Sequence, residues 1–118
     1  MKLSSTITQL ITDHDCCNER KLNKLDFSTW PLLNTNEIGS HCFMFVREVK
    51  LIGLEKLERV VIGELSFTYN YMSDGDYRDR FYLKDCPLIK ELKMGRGACY
   101  YYSVCEIENV PSLEVIEM

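Results

Sequence analysis

The stretch that decides the fold is Leu57-Glu58-Arg59-Val60-Val61-Ile62-Gly63-Glu64-Leu65-Ser66-Phe67. Apolar side chains fall at Leu57, Val60 and Ile62, a glycine follows at once, and Phe67 lies four residues after the glycine. The same order recurs around Gly39, earlier in the chain, and around Gly95, later in it. A pattern that recurs every ~20–50 residues is typical of proteins built from stacked repeats. The sequence therefore predicts a chain of similar units.

Alignment on Gly63 places Asp13, Gly39 and Gly95 at the equivalent position, with intervals of 26, 24 and 32 residues. Three mostly apolar residues precede each of these positions, at six, three and one residues before it, and the same spacing recurs once more at the end of the chain. The sets are Ile7, Leu10, Thr12; Leu33, Asn36, Ile38; Leu57, Val60, Ile62; Ile89, Leu92, Met94; and Leu113, Ile116, Met118. Among them only Thr12 and Asn36 are polar. The alignment predicts a single domain over 1–118, with units at about 7–30, 31–54, 55–86 and 87–110 and a partial unit at 111–118.

A second apolar pair recurs in each unit, and its spacing of two residues is typical of a short strand with one buried face. The pairs are Leu25 and Phe27, Val49 and Leu51, Phe81 and Leu83, and Cys105 and Ile107. Each unit is therefore predicted to carry two short strands, and the connections in the shorter units leave little room for a helix. Stacked units would pair like strands in parallel, about 4.8 Å apart. The predicted fold is a mainly β repeat solenoid of about four units.

The pattern resembles leucine-rich repeats. The order Ile-Gly-x-x-small-Phe, an apolar strand, then Leu-x-x-Val-x-Ile-Gly is most similar to the BspA-like subclass, which forms large families in unicellular eukaryotes. Residues 81–88, Phe-Tyr-Leu-Lys-Asp-Cys-Pro-Leu, also match the Leu-x-Leu-x-x-Cys-x-Leu core. The resemblance covers residues 7–118, with departures at Thr12, Asp13 and Val110-Pro111. It implies a protein-binding scaffold with an unidentified protein partner, without catalysis or cofactor.

Composition and charge narrow the class of protein. With 46% hydrophobic and 27% charged residues the chain is expected to fold, and a net charge of −4 without a basic run argues against nucleic-acid binding. The sequence shows no signal-peptide pattern, no apolar run that would span a membrane and no Asn-x-Ser/Thr acceptor. We therefore expect a cytoplasmic protein with reduced thiols.

The cysteines and histidines leave an alternative function open. Cys16, Cys17, His41 and Cys42 could form a thiol-based metal or redox site drawn from adjacent units. The alignment favours a structural role instead, because all six cysteines fall at positions that take small or apolar residues. No Cys-x-x-Cys spacing supports zinc. A Cys16–Cys42 disulfide between stacked neighbours is geometrically possible, but the expected intracellular location argues against it.

The polar residues predict no catalytic site. Asp74, Asp76 and Asp79 lack the closing glutamate of a calcium loop and are interleaved with arginines, so we assign them to a solvated turn. No pairing of a nucleophile with a base is indicated. The protein is therefore expected not to be an enzyme.

All seven tyrosines lie between residues 69 and 102, near the eight extra residues of the longest unit. In the alignment these tyrosines and neighbouring aromatic residues follow the Phe67 position and form one edge. Tyrosine and phenylalanine are favoured at protein interfaces. The predicted protein-binding residues are Phe45, Tyr69, Tyr71, Tyr77, Tyr100 and Tyr101; the alternative is a hydrophobic turn that packs inward.

The C-terminal residues Leu113, Val115, Ile116 and Met118 continue the apolar pattern without a polar unit to cover them. Stacked repeats expose an unpaired strand at an uncovered end. We therefore expect either a longer native protein or self-association through residues 111–118.

Overall fold

The structure is a computed structural model that describes residues 3–68 and 79–118. Within these ranges the chain forms nine β-strands and one 3-10 helix, Phe27–Thr29. The strands are β1 (Gln9–Ile11), β2 (Lys24–Asp26), β3 (Thr35–Ile38), β4 (Glu48–Ile52), β5 (Arg59–Ile62), β6 (Arg80–Lys84), β7 (Glu91–Met94), β8 (Val104–Glu108) and β9 (Val115–Glu117).

Successive strands alternate between two sheets. The odd-numbered strands form one sheet in the order β1-β3-β5-β7-β9, and the even-numbered strands form the other in the order β2-β4-β6-β8. Every strand pairing found in the described residues is parallel. The prediction of a mainly β protein with parallel pairing of like strands is confirmed. We call each odd-numbered strand, with the even-numbered strand that follows it, a unit.

The register of the pairing matches the alignment of the sequence. In the first sheet the aligned partners are Leu10, Asn36, Val60, Leu92 and Ile116. In the second they are Leu25, Val49, Phe81 and Cys105. Partners lie 26, 24, 32 and 24 residues apart in the first sheet, so the longest interval is absorbed between β5 and β7 without a change of register.

One predicted strand residue, Phe27, lies instead in the 3-10 helix. The carboxylate of Asp26 accepts a hydrogen bond from the Ser28 amide at 3.0 Å, which ends β2 and starts the helical turn. Phe27 is still fully buried, and its ring meets that of Trp30 edge-on with centroids 5.5 Å apart. The side chain therefore keeps its place in the core although the backbone leaves the strand.

The core lies between the two sheets. Buried residues alternate with half-buried ones along β3, β4, β5 and β6, as one inward face requires. Phe43 and Phe67, from neighbouring units, stack with centroids 5.3 Å apart and planes 6° from parallel. The apolar column predicted four residues after the glycines is thus an internal aromatic stack.

The first turn of each unit, which we call the glycine corner, follows β3, β5 and β7 and begins at Gly39, Gly63 and Gly95. A Cβ built on Gly63 would lie 2.5 Å from the carbonyl carbon of Gly39 and 2.5 Å from the amide nitrogen of Ser40. Gly63 therefore packs against the backbone of the preceding unit with no room for a side chain. Positive φ occurs later in the corner, at residues that are not glycine, including Leu65 (57°) and Phe67 (56°).

Hydrogen bonds between units hold these unusual conformations. The Leu65 amide donates forward to the Arg96 carbonyl at 3.0 Å, and the Phe67 amide donates back to the Cys42 carbonyl at 3.0 Å. Since each positive-φ residue gains a partner in an adjacent unit, the stack stabilises backbone that an isolated turn would disfavour.

The second turn, which we call the Asx corner, follows β4, β6 and β8 at Gly53, Asp85 and Asn109. All three residues have positive φ, of 69°, 54° and 52°. Asn and Asp tolerate this conformation better than other non-glycine residues. The Asn109 side-chain amide also donates to the Asp85 carboxylate at 2.8 Å, so the corner carries a side-chain link between units.

The two ends of the first sheet differ in burial. In β1 the core residue Leu10 is 6% exposed, whereas its equivalent in β9, Ile116, is 51% exposed. Met118 is 68% exposed. In the first unit, partly buried apolar residues such as Ile7 and Leu22 pack against the core. The apolar layer is therefore covered at β1 and open at β9.

No helix among residues 3–68 and 79–118 has the length and apolar character needed to cross a membrane.

Candidate functional site

The outer surface of the glycine corner brings several exposed apolar side chains together in one place. A groove of about 400 Å³ is lined by His41, Met44, Leu65, Thr68, Tyr100 and Tyr101. Tyr100 is 70% exposed, and Met44, Leu65 and Tyr101 are each exposed by about two fifths (39–45%). Clustered exposure of this kind marks candidate interaction surfaces, whereas single exposed apolar residues do not.

Leu65 is unusual on two counts. Its φ of 57° is costly for a residue with a Cβ, by about 1–2 kcal/mol, and its side chain lies at the surface. Equivalent positions hold His41, also with positive φ, and Gly97. A glycine or asparagine would serve the turn at lower cost, so the conformation alone does not account for a leucine here.

The far wall of the groove is a pair of tyrosines. The rings of Tyr100 and Tyr101 meet edge-on, with centroids 4.9 Å apart and planes at 78°. Their backbone is a tight turn in which the Tyr100 amide donates to the Gly97 carbonyl at 3.2 Å. Edge-to-face packing gives two adjacent rings a defined orientation, so the wall is preformed.

The near wall is fixed by Asn18 from the preceding unit. Its side-chain amide donates to the His41 carbonyl at 2.8 Å, and its side-chain oxygen accepts from the Met44 amide at 2.9 Å. One asparagine therefore bonds a backbone carbonyl and a backbone amide of this segment. The groove is built on a rigid turn instead of a loose loop.

The predicted protein-binding residues divide into three groups. Tyr100 and Tyr101 are exposed and line the groove. Phe45 is half-buried beneath the Arg20 guanidinium, which lies 5.5 Å from its ring centroid, and it is not among the lining residues. Tyr69, Tyr71 and Tyr77 lie outside the described residues.

Sequence reasoning did not select His41, Leu65 or Thr68 as binding residues. Nor did it select Met44, although this residue follows Phe43 as Tyr100 follows Cys99 in the alignment. The signal for Leu65 was present in the sequence: it lies two residues after the glycine, where the equivalent residues are Asp15, His41 and Gly97. An apolar residue at a position otherwise polar or glycine indicates exposure.

Tyr102 is half-buried and packs against the core. Its hydroxyl donates to the Val46 carbonyl, and its ring meets Phe67 edge-on at 6.4 Å. Burial raises the pKa of this phenol well above its usual range. For Tyr102 the alternative of an inward-packed hydrophobic turn is therefore correct, and the tyrosine-rich segment has both an inner and an outer face.

Asp79, expected in a solvated turn, is instead buried. It is 3% exposed, and its carboxylate accepts from Arg47 Nε at 3.1 Å. Its carbonyl also accepts the amides of Ser103 and Val104. The assignment of Asp79 to solvent was wrong, because the residue pairs with a neighbouring unit and leads directly into β6. Asp74 and Asp76 lie outside the described residues.

The alternative metal site is not assembled in the described part of the chain. No group of three or more His, Cys, Asp or Glu side chains there is arranged to hold a metal ion. Cys42 is fully buried, and its thiol donates to the Asp13 carbonyl at 3.0 Å. Burial, followed by its hydrogen bond with Cys16, raises the pKa of Cys17 to about 12, which disfavours the thiolate that a metal requires.

All six cysteines are free thiols. Cys42 and Cys86 are buried, while Cys16, Cys17 and Cys99 are half-buried against the core. Cys105 is exposed because it lies on β8, the last strand of its sheet. Five of the six thus occupy apolar surroundings, as the alignment predicted, and the exception lies on the edge strand of the sheet formed by the described residues.

Comparison of the chain with protein-family models, curated proteins and solved structures found no match.

Proposed function

We propose that the protein is a short leucine-rich-repeat solenoid that acts as a protein-interaction module and binds its partner at the glycine-corner groove. The observation that carries the proposal is the contiguous exposure of Tyr100, Tyr101, Leu65 and Met44 on preformed backbone. The register of the two parallel sheets supports the repeat architecture, and the sequence resemblance supports the assignment to leucine-rich repeats.

The composition of the groove supports a protein partner. Tyrosine and methionine are enriched at interface cores, where they bury large areas with few rotatable bonds. The two tyrosine rings already have a defined orientation beside a leucine and a methionine. A partner that binds this patch therefore loses little free energy to the ordering of side chains. In this proposal the module has no catalytic role, and the partner is a protein that contributes an apolar anchor. A cytoplasmic location is consistent with the six free thiols.

The test compares substitutions in the groove with a matched substitution outside it. The immobilised protein is used to capture partners, which are identified by mass spectrometry and then measured against purified variants. Tyr100→Ala and Tyr101→Ala are expected to weaken binding at least about tenfold, as hot-spot truncations do. Tyr82→Ala is the control, because Tyr82 lies on β6, where its ring contacts the Lys84 ammonium at 5.0 Å.

Binding that survives both groove substitutions but is lost on changing Lys24, Lys50 or Glu106 would contradict the proposal. Those residues lie on the second sheet, and Glu106 already pairs with Lys84 at 2.5 Å. Circular dichroism and thermal melting of each variant separate loss of the contact from loss of the fold.

A second proposal concerns residues 111–118. We infer that this segment self-associates, because β9 pairs with β7 on one side and its core residue Ile116 is 51% exposed. Parallel or antiparallel addition of another strand would cover both the backbone and the apolar side chains. Sedimentation at rising concentration is expected to show dimers or larger species, and Ile116→Lys is expected to suppress them. A strictly monomeric protein over this range would refute the inference.

A further inference from the structure

Cys16 and Cys17 are adjacent in sequence and their sulfur atoms are in contact. The two Sγ atoms lie 2.6 Å apart, in direct contact but longer than the ~2.0 Å of a disulfide bond. Both residues are half-buried, so a small reagent can reach the pair. The protein-binding proposal does not use this pair.

The local backbone explains why adjacent side chains meet. In an extended strand, consecutive side chains lie on opposite faces and two adjacent thiols would be separated. Here the residues on either side of Cys16 have positive φ, 58° at Asp15 and 64° at Cys17. This turn brings both thiols to the same side.

The turn is held by the neighbouring unit. The Asp15 amide donates to the Ser40 carbonyl at 2.9 Å, and the Cys16 amide lies 3.4 Å from the Cys42 sulfur, which accepts its hydrogen bond. The geometry of the thiol pair therefore depends on the folded stack, and we expect it to be lost in the unfolded chain.

We propose that Cys16 and Cys17 are a modification site that closes to a reversible disulfide between adjacent residues when the folded protein meets a small disulfide such as oxidised glutathione. In the first step the Cys16 thiolate attacks one glutathione sulfur, breaks its S–S bond and releases one glutathione thiolate. In the second step the Cys17 thiol loses its proton as its sulfur attacks the Cys16 sulfur, and the other glutathione leaves and takes up a proton. The two protein thiols lose two protons and two electrons, and oxidised glutathione is reduced to two thiols.

The bond is expected to be easily reduced. The peptide bonds of the described residues are not cis, so the Cα atoms of Cys16 and Cys17 are about 3.8 Å apart. Most disulfides join Cα atoms about 4.4–6.8 Å apart, and departures from that range store strain that favours reduction. A site of this kind responds to the redox state of its surroundings, unlike a permanent structural crosslink.

Cys42, the third thiol nearby, is a poor competitor. It is fully buried and its hydrogen bond to the Asp13 carbonyl, at 3.0 Å, engages the thiol with the backbone. A Cys16–Cys42 bridge, which the sequence alignment had made conceivable, would have to break that bond. The contact of the Cys16 sulfur with Cys17 favours the adjacent pair instead.

Trypsin distinguishes the possible pairings directly. Cleavage after Lys2 and Arg20 gives the peptide 3–20, which contains Cys16 and Cys17 and no other cysteine, while Cys42 falls in the peptide 25–47. The folded protein is equilibrated with mixtures of oxidised and reduced glutathione, alkylated with iodoacetamide and digested. The expected product is peptide 3–20, about 2 Da lighter than its reduced form and without alkyl groups.

Variants and a denatured control complete the experiment. Cys17→Ser is expected to stop at the mixed disulfide and retain one glutathione on peptide 3–20, whereas Cys42→Ala is expected to close the bond as the wild type does. The chain in denaturant is expected to need more oxidised glutathione than the folded protein.

Three outcomes for the folded protein would overturn the proposal. These are a crosslink between peptides 3–20 and 25–47, a wild-type protein that remains as the mixed disulfide, and full alkylation of peptide 3–20 at every glutathione ratio. Equal closure in the folded and denatured chains would show that the fold does not prepare the pair, and it would overturn the proposal as well.

Discussion

The glycine corner and the Asx corner both carry the chain from one sheet to the other, but they use glycine for different reasons. At the glycine corner a Cβ on Gly63 would collide with the Gly39 and Ser40 backbone at 2.5 Å. At the Asx corner a Cβ on Gly53 would meet nothing within 4 Å, yet φ is 69°. One corner needs the absence of a side chain, and the other needs a backbone conformation that Asp85 and Asn109 also adopt.

The difference shows where the sequence is free to vary. Space between stacked backbones cannot be recovered by a rotamer change, so at Gly39, Gly63 and Gly95, which each lie against a preceding unit, the position is closed to every other residue. A positive φ excludes most residues at modest cost and admits Asn and Asp. Variation in this fold is therefore expected at the Asx corner and on the outer surface of the glycine corner.

The largest predicted effect is that of Gly63→Ala. The added methyl would lie against backbone atoms that cannot rotate away, so the variant is expected to lose at least about 3 kcal/mol of unfolding free energy. Gly53→Ala is the matched control and should lose about 1 kcal/mol, the cost of positive φ alone. Urea unfolding of both variants measures the difference; equal losses would mean that the two corners are not distinct.

A smaller loss is expected for Ser66→Ala, also at the glycine corner. The Ser66 hydroxyl is fully buried, donates to the Gly39 carbonyl at 2.8 Å and accepts from the Cys42 amide at 3.0 Å. Its removal leaves two buried backbone groups without these partners and should cost about 1–3 kcal/mol. Ser112→Ala is the control, since that exposed hydroxyl donates to the Pro87 carbonyl and should cost less than about 0.5 kcal/mol. A Ser66 variant as stable as the Ser112 variant would contradict the prediction.

Cys99, also at the glycine corner, is expected to lower the unfolding free energy of the protein at alkaline pH. Burial raises the pKa of this thiol from 9.0 to about 12, so the folded state favours the protonated form. Its contribution to stability is fully present below pH 9 and is lost as the pH rises towards 12. Cys99→Ala should therefore flatten the fall in unfolding free energy between pH 9 and 10, below the range where Tyr102 adds its own effect. If the variant showed the same pH dependence of unfolding free energy as the wild type, a group other than Cys99 would be responsible for the fall.

The smallest predicted effect is that of Gly53→Asn at the Asx corner. The position is open, its φ suits asparagine, and the new side chain would lie next to Asp85 in the stack, as Asn109 does on the other side. We expect a change within about 0.5 kcal/mol, with stabilisation if a second side-chain bond forms. In an Asp85→Ala background any such gain should disappear, and thermal melting of the single and double variants measures it.

The architecture could be read from the sequence because the apolar positions recur in every unit. Leu10, Val60 and Leu92 occupy aligned positions in the sheet, as the spacing predicted. The positive φ of Leu65 and Phe67 could not be predicted, since it is stabilised by hydrogen bonds to other units instead of by the residues themselves.

Asn36 shows a different limit. The alignment identified it as a polar residue in an apolar column; it is 1% exposed, and its side-chain amide has no hydrogen-bond partner within residues 3–68 and 79–118. Local sequence gives no reason for a buried amide among apolar neighbours.

The groove was predictable in part. The clustering of tyrosines in the sequence identified Tyr100 and Tyr101, whereas an apolar residue such as Leu65 is normally assigned to the core.

The regular register has a consequence for how the chain folds and opens. Paired residues lie only 24 to 32 positions apart, so each strand closes a loop of moderate length when it joins the strand before it. In the described chain no strand pairing links β1 to β9, and the loss of β9 leaves the other pairings intact. Folding can then proceed by addition of neighbouring units, and amide hydrogens should exchange with solvent in a gradient, fastest in β9 and slowest in β5.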